Sequence, residues 1–107
     1  MTSATLNDIL LAIQNVRRVG VREIRSASRE PDVRDARLLF YFVASQCFAK
    51  PNAWIAKAVN RSGDTVGEAI RRMTKETAFA PELVDAVEEE VDKIVAARQA
   101  TNALEMR

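Results

Sequence analysis

Histidine is absent from this 107-residue sequence, and cysteine occurs once, at Cys47. Without histidine the commonest general base and metal ligand is missing, which speaks against an enzyme, and no metal or cofactor is expected. A lone cysteine excludes an internal disulfide and fits a reducing cytoplasm. Three Gly and three Pro are too few for the many turns of a sandwich or barrel. No apolar run reaches the roughly 18 residues of a membrane span. Met1-Thr2-Ser3-Ala4-Thr5 lacks the basic start and apolar stretch of a secretory signal, so a cytoplasmic location is expected.

What is present suits one folded domain with one core. Apolar residues make up 48% and charged residues 29%. The net charge of +1 hides a strong segregation. Residues 1–16 carry only Asp8, residues 17–75 carry 13 Lys/Arg against 6 Asp/Glu, and residues 76–107 carry 3 against 8. A basic middle of this kind faces polyanions, and an acidic final segment faces elsewhere. The blander reading is a set of solvated helix faces.

Hydrophobic spacing predicts helices throughout and no strand. Leu6, Ile9, Leu10, Ile13 and Val16 recur at helical spacing behind Thr5 or Asn7 as N-cap. Gly20 stands where a left-handed residue would stop that helix. Residues 21–26 read as one or two helical turns, and 26–30 as a polar loop. Pro31 then opens a long helix over about 32–48, whose stripe is Ala36, Leu39, Phe40, Val43, Ala44 and Cys47. Lys50-Pro51-Asn52 breaks it. Two further helices are expected at about 52–59 and 64–75. Pro81 starts the last, with Val84, Val87, Val91, Ile94 and Val95 as its stripe and Arg98 interrupting it. Glu82, Asp85, Glu88, Glu89, Glu90 and Asp92 crowd its first half, where negative charge also suits the helix dipole.

Residues 54–73 have the form of a helix-turn-helix, which lays its second helix in a DNA major groove. Ile55, Ala56, Ala58 and Val59 are placed to pack on Val66, Ala69, Ile70 and Met73, and Gly63 to permit the bend. Trp54 is expected to anchor the first helix on the core. Ser62, Asp64 and Thr65 are short polar residues at the start of the second helix. They suit base edges and phosphates, or equally an N-cap, with Thr65 and Glu68 in capping-box spacing. Arg71 and Arg72 lie on its exposed side, within reach of phosphate or guanine. Asp64 and Glu68 would be repelled by phosphate unless they cap, orient an arginine or accept from cytosine.

Residues about 20–76 resemble domain IV, the C-terminal DNA-binding domain of the bacterial replication initiator DnaA. The likeness runs from Ser28-Arg29 through residues 33–39 to residues 69–73. The family's Arg-Asp-His-Thr-Thr-Val run is matched by Arg61-Ser62-Gly63-Asp64-Thr65-Val66. The resemblance implies a compact all-α fold, DnaA/Trp-repressor-like in its helix-turn-helix, that binds double-stranded DNA. It places Arg29 at the family's minor-groove arginine and Arg37 at an arginine that supports DNA contact. It places Arg61 at the turn arginine, Ser62 where the family has Asp, and Thr65 at a groove-facing threonine. Gly63-Asp64 replace the His-Thr of the run, and Glu30, Asp32 and Asp35 thin the basic loop, so the helix need not read the initiator's preferred site. The initiator's ATPase domain has no counterpart here, since no Gly-x-x-x-x-Gly-Lys-Ser/Thr loop is present.

A domain of this kind without its ATPase looks most like a transcription regulator. The activators of gene-transfer-agent genes in some alphaproteobacteria, and certain phage regulators, are of that type. The expected function is sequence-specific duplex binding by an activator in the nucleoid. Helix 64–75 would lie in the major groove, Arg29 in the minor groove, and Arg37, Arg61, Arg71 and Arg72 at phosphates. The acidic face of the last helix would meet RNA polymerase, a sigma factor or a co-activator. A homodimer would raise affinity by linking two sites. Two other readings stay open: a replication-linked binder at initiator-like sites, and a protein-interaction adaptor that has lost DNA binding.

Overall fold

The computed structural model describes residues 4–76 and 79–105. Among the described residues six α-helices succeed one another: α1 (Leu6–Arg17), α2 (Val21–Ile24), α3 (Pro31–Phe42), α4 (Asn52–Ala58), α5 (Gly63–Glu76) and α6 (Pro81–Glu105). No strand occurs among the described residues. The all-α architecture expected from the spacing of apolar residues is therefore the one observed.

Each helix begins and ends for a local reason. Thr5 caps α1 in a full capping box, its hydroxyl accepting from the Asp8 amide while Asp8 accepts from the Thr5 amide. Helix α1 stops at Arg18, which takes the left-handed conformation (φ 58°) and donates its N–H to the Gln14 carbonyl at 2.8 Å. Gly20, expected to play that part, instead precedes α2 at φ −63°. The reversal falls two residues early because Val19 turns inward and is buried, while Gln14 Oε1 accepts from the Val21 amide.

Helix α3 is the central one, packing against α1, α2 and α5. Val33, Ala36, Leu39, Phe40 and Tyr41 are buried along it. The single helix expected over 32–48 is not uniform: Val43–Cys47 form a π-turn. The widened turn rotates the residues after it about the helix axis. Val43 and Ala44 stay buried while Cys47 and Phe48 pack half-buried at the core's edge. Ala49 (φ 50°) then reverses the chain, and the Lys50 amide reaches back to the Ala44 carbonyl at 2.9 Å. Burial, with a hydrogen bond to Glu88, pushes the Cys47 thiol up to about 11, so it is a poor nucleophile.

Helix α6 lies along α1, with Val87, Val91 and Val95 buried and Val84 and Ile94 half-buried against the core. Arg98, which interrupts that stripe in sequence, completes it in space. Its Nη2 sits 2.7 Å from Oδ2 of Asp8, whose side chain is almost wholly buried. One carboxylate thus closes the α1 cap and ties α1 to α6.

The bend between α4 and α5 also differs from expectation. Gly63 is the first residue of α5, and no glycine has a positive φ. Asn60 bends the chain instead (φ 58°), and asparagine tolerates that conformation better than most residues. The Arg61 amide donates to the Ala56 carbonyl at 2.9 Å, and Asn60 Nδ2 to the Arg25 carbonyl at 3.2 Å. The glycine used for close approach is Gly67, where an added Cβ would come 3.2 Å from Asn52 Nδ2 on α4.

Trp54 is not the core anchor expected of it. It is 62% exposed, because Ile55 and Ala56, with Val59 just past the helix end, form the buried edge of α4 and Trp54 falls outside that edge. It borders Leu6, Lys57 and Ala58 instead. Trp54→Ala is accordingly expected to cost less than about 1 kcal/mol, measured as a shift in the urea midpoint.

Candidate nucleic-acid interface

The site begins with the loop between α2 and α3. Ser26 Oγ donates to the Glu23 carbonyl at 2.6 Å and accepts from the Ser28 amide at 3.1 Å, and Ser28 Oγ accepts from the Glu30 amide at 3.2 Å. These short serine turns aim the loop's carbonyls inward. Two arginines meet them. Arg37 Nε donates to the Ile24 carbonyl at 2.9 Å, Nη2 to Ser26 at 2.9 Å, and Nη1 to Ser28 at 3.3 Å. Arg61 Nη2 donates to the same Ser26 carbonyl at 2.8 Å, and its Nη1 to Val59 at 3.0 Å.

The consequence is electrostatic. A buried guanidinium needs acceptors for its donors, and Arg37 and Arg61 find theirs without any carboxylate among these bonds. Carbonyl dipoles satisfy the hydrogen bonds but leave the net positive charge uncancelled. Burial lowers the pKa of Arg37 below its ordinary value, and the neighbouring Arg61 charge lowers it further. Burial raises the pKa of Tyr41, and the Arg61 and Arg37 charges offset part of that rise.

Two open hollows lie over these arginines. The first, a loop hollow of about 570 Å³, is lined by Ala27, Ser28, Arg29, Arg34, Arg37 and Arg61. The second, a helix hollow of about 320 Å³ between α3 and α5, includes Arg34, Arg37, Tyr41, Arg61, Thr65 and Arg72. Glu68 also lines it and pairs with Arg72 at 3.5 Å. Both side chains of that pair are about two-thirds exposed, so the bond adds little stability and is easily exchanged.

The expected site residues fall into three groups. Arg29, Arg37, Arg61, Thr65 and Arg72 are brought together around the two hollows. Ser62 is the cap of α5: its Oγ accepts from the Thr65 amide at 3.2 Å and lies 2.8 Å from Thr65 Oγ1. Asp64 and Arg71 are exposed on α5 but line neither hollow. Of the cap alternatives, Ser62 is the one used, while Glu68 pairs with Arg72 rather than closing a box on Thr65. Arg37 is placed to hold the loop rather than to reach outward, since it is 8% exposed and all three of its nitrogens donate to carbonyls.

Arg34 is not among the expected site residues, yet it lines both hollows. Its signal lies in the register of α3. Arg34, Arg37, Leu38 and Tyr41 recur at i, i+3, i+4 and i+7, forming a second stripe beside the apolar one.

Elsewhere the surface is different in kind. Glu82, Asp85, Glu89 and Asp92 are exposed on α6, which packs on α1 and the π-turn and lines neither arginine hollow. Among the described residues no acidic or sulfur cluster is placed to hold a metal ion, and no helix is long and apolar enough to cross a membrane. No family model matches the chain, and no curated protein is significantly similar to it.

Proposed function

We propose that this chain is a helix-turn-helix protein that binds double-stranded DNA. More particularly, we infer a sequence-specific transcription regulator that acts as an activator. One observation carries the reading: Arg29, Arg34, Arg37 and Arg61 ring a hollow that shares its wall with the one along α5, and the buried Arg37 and half-buried Arg61 have carbonyls rather than carboxylates as their partners. Such a surface keeps its charge for a polyanion.

In this mechanism α5 enters the major groove and presents Thr65 and Arg72, while Arg29 extends from its loop into the adjacent minor groove. Arg61 and Arg71 lie beside the phosphates. Arg37 acts from behind, fixing the loop that carries Arg29. The exposed acids of α6, which line neither hollow, offer a surface to RNA polymerase, a sigma factor or a co-activator. A second copy on an adjoining half-site lengthens the sequence read.

Fluorescence anisotropy on duplexes selected from a random pool tests the reading. The logarithm of the affinity is expected to fall linearly with the logarithm of salt, with a slope near −0.9 per phosphate contacted. Arg29→Ala is expected to weaken binding by roughly 1–3 kcal/mol with the fold intact, since Arg29 is exposed. Thr65→Ala is expected to relax sequence preference by a similar roughly 1–3 kcal/mol. Should both variants bind the selected duplex as the wild type does, the DNA face is misassigned. Chromatin immunoprecipitation then separates roles: sharp promoter peaks support regulation, and a flat profile removes it.

A further inference from the structure

The loop hollow and the helix hollow share a wall formed by Arg34, Arg37 and Arg61. Arg29 and its loop lie on one side of this wall, and Thr65 and Arg72 of α5 on the other. A protein that fills a major groove with one element and the neighbouring minor groove with another must straddle the sugar-phosphate ridge between them. The shared wall is the part of this surface that meets the ridge.

The three arginines of the wall differ in what they have left to offer. Arg37 is buried and donates from Nε, Nη1 and Nη2 to carbonyls. Arg61 is half-buried and donates to the Ser26, Val59 and Asn60 carbonyls. The side chain of Arg34 is exposed, and among the described residues it has no hydrogen bond or ion pair. One guanidinium with free donors therefore stands in front of two that are held in place.

We propose that this wall is a seat for one backbone phosphate of duplex DNA, with Arg34 as its hydrogen-bond donor. The inference rests on the DNA-binding reading above. A guanidinium matches two phosphate oxygens with two parallel N–H bonds, which fixes orientation as well as charge. Arg37 and Arg61 cannot swing toward the phosphate without abandoning their carbonyls, so they act as fixed positive charge behind it. No carboxylate lines the loop hollow, and the one lining the helix hollow, Glu68, lies in an exposed pair with Arg72 on the α5 side. The seat sets register: a phosphate held there fixes how far Arg29 and Thr65 reach into their grooves.

The experiment uses the full chain and a duplex selected by the wild type, alongside the same duplex carrying one neutral methylphosphonate at each position in turn. Binding is read by anisotropy across a salt series. The wild type is expected to lose affinity at the seated phosphate. Arg34→Ala should lose nothing further at that position, and its salt slope should be shallower by about 1. Its affinity should fall by a similar factor on selected and scrambled duplexes, because a phosphate carries no base identity. Arg34→Lys should recover the slope but only part of the affinity, having charge without the fork. The seat is overturned if Arg34→Ala keeps the wild-type slope, or if every methylphosphonate costs that variant what it costs the wild type. Failure of the wild type to bind any duplex at low salt would overturn the DNA reading itself, and the seat with it.

Discussion

Phe40→Ala is expected to destabilise the fold by about 3–5 kcal/mol, a large effect for a single truncation. Phe40 is fully buried, and it heads the fully buried side chains by size. It sits on α3, the helix that touches α1, α2 and α5. Its ring lies 6.3 Å from that of Tyr41, tilted by 55°, an arrangement that aromatic pairs favour. Truncation removes the transfer free energy of a benzyl group and leaves a cavity bounded by helices that cannot all close on it. Domains of this size have only about 5–15 kcal/mol in total. Urea unfolding followed by circular dichroism measures the change. The midpoint should fall steeply with the slope unchanged, as expected when stability alone is altered. A midpoint within experimental error of wild type would mean that α3 does not organise the core.

The second large effect is expected at Arg37. Arg37→Met keeps the length of the side chain and removes its donors. The Ile24 carbonyl loses a 2.9 Å bond, and the Ser26 carbonyl keeps only Arg61. Hydrogen bonds from a charged group contribute about 1.5–3 kcal/mol each, and part of that is recovered by removing a buried charge. The net loss is then roughly 2–4 kcal/mol. Arg37→Lys should restore little, because an ammonium cannot span carbonyls at three places on a fork. If Arg37→Met unfolds at the wild-type midpoint, the loop is held by its serine turns alone and the arginine has some other use. Where the variant remains folded, its duplex affinity should fall as well, since Arg29 is then carried on a loop no longer pinned.

The same arginine shows how far the sequence can be read. Resemblance places Arg37 near DNA contact, and it does line both hollows. Its burial is not legible, because its partners are backbone carbonyls 9 to 14 residues away, which no side-chain pattern records. Arg34, three residues earlier, escapes sequence reasoning for a related reason. Its importance comes from being the exposed member of a cluster assembled by three separate segments. Trp54 misleads in the other direction. Its size suggests the core, yet burial in a short helix is decided by angle around the axis, and Ile55, Ala56 and Val59 occupy the inner edge.

Local rules are dependable wherever the interaction itself is local. Thr5 and Asp8 form their box, Ser62 caps α5, Pro31 opens α3, and the i, i+3, i+4 stripes of α1, α3 and α5 are the buried ones. These features need only neighbours within four residues, so the sequence by itself determined the order of the helices and the inner faces of α1, α3 and α5. Where the chain reverses was decided less locally. Arg18 takes the left-handed turn expected of Gly20, beside the buried Val19, and Asn60 makes the bend expected at Gly63, its side chain reaching the Arg25 carbonyl. The tertiary structure alone decided that Asp8 meets Arg98 across 90 residues. It alone brought Arg61 beside Arg37 on the Ser26 carbonyl. Such pairings depend on how helices pack, and packing is set by the whole core rather than by any one segment.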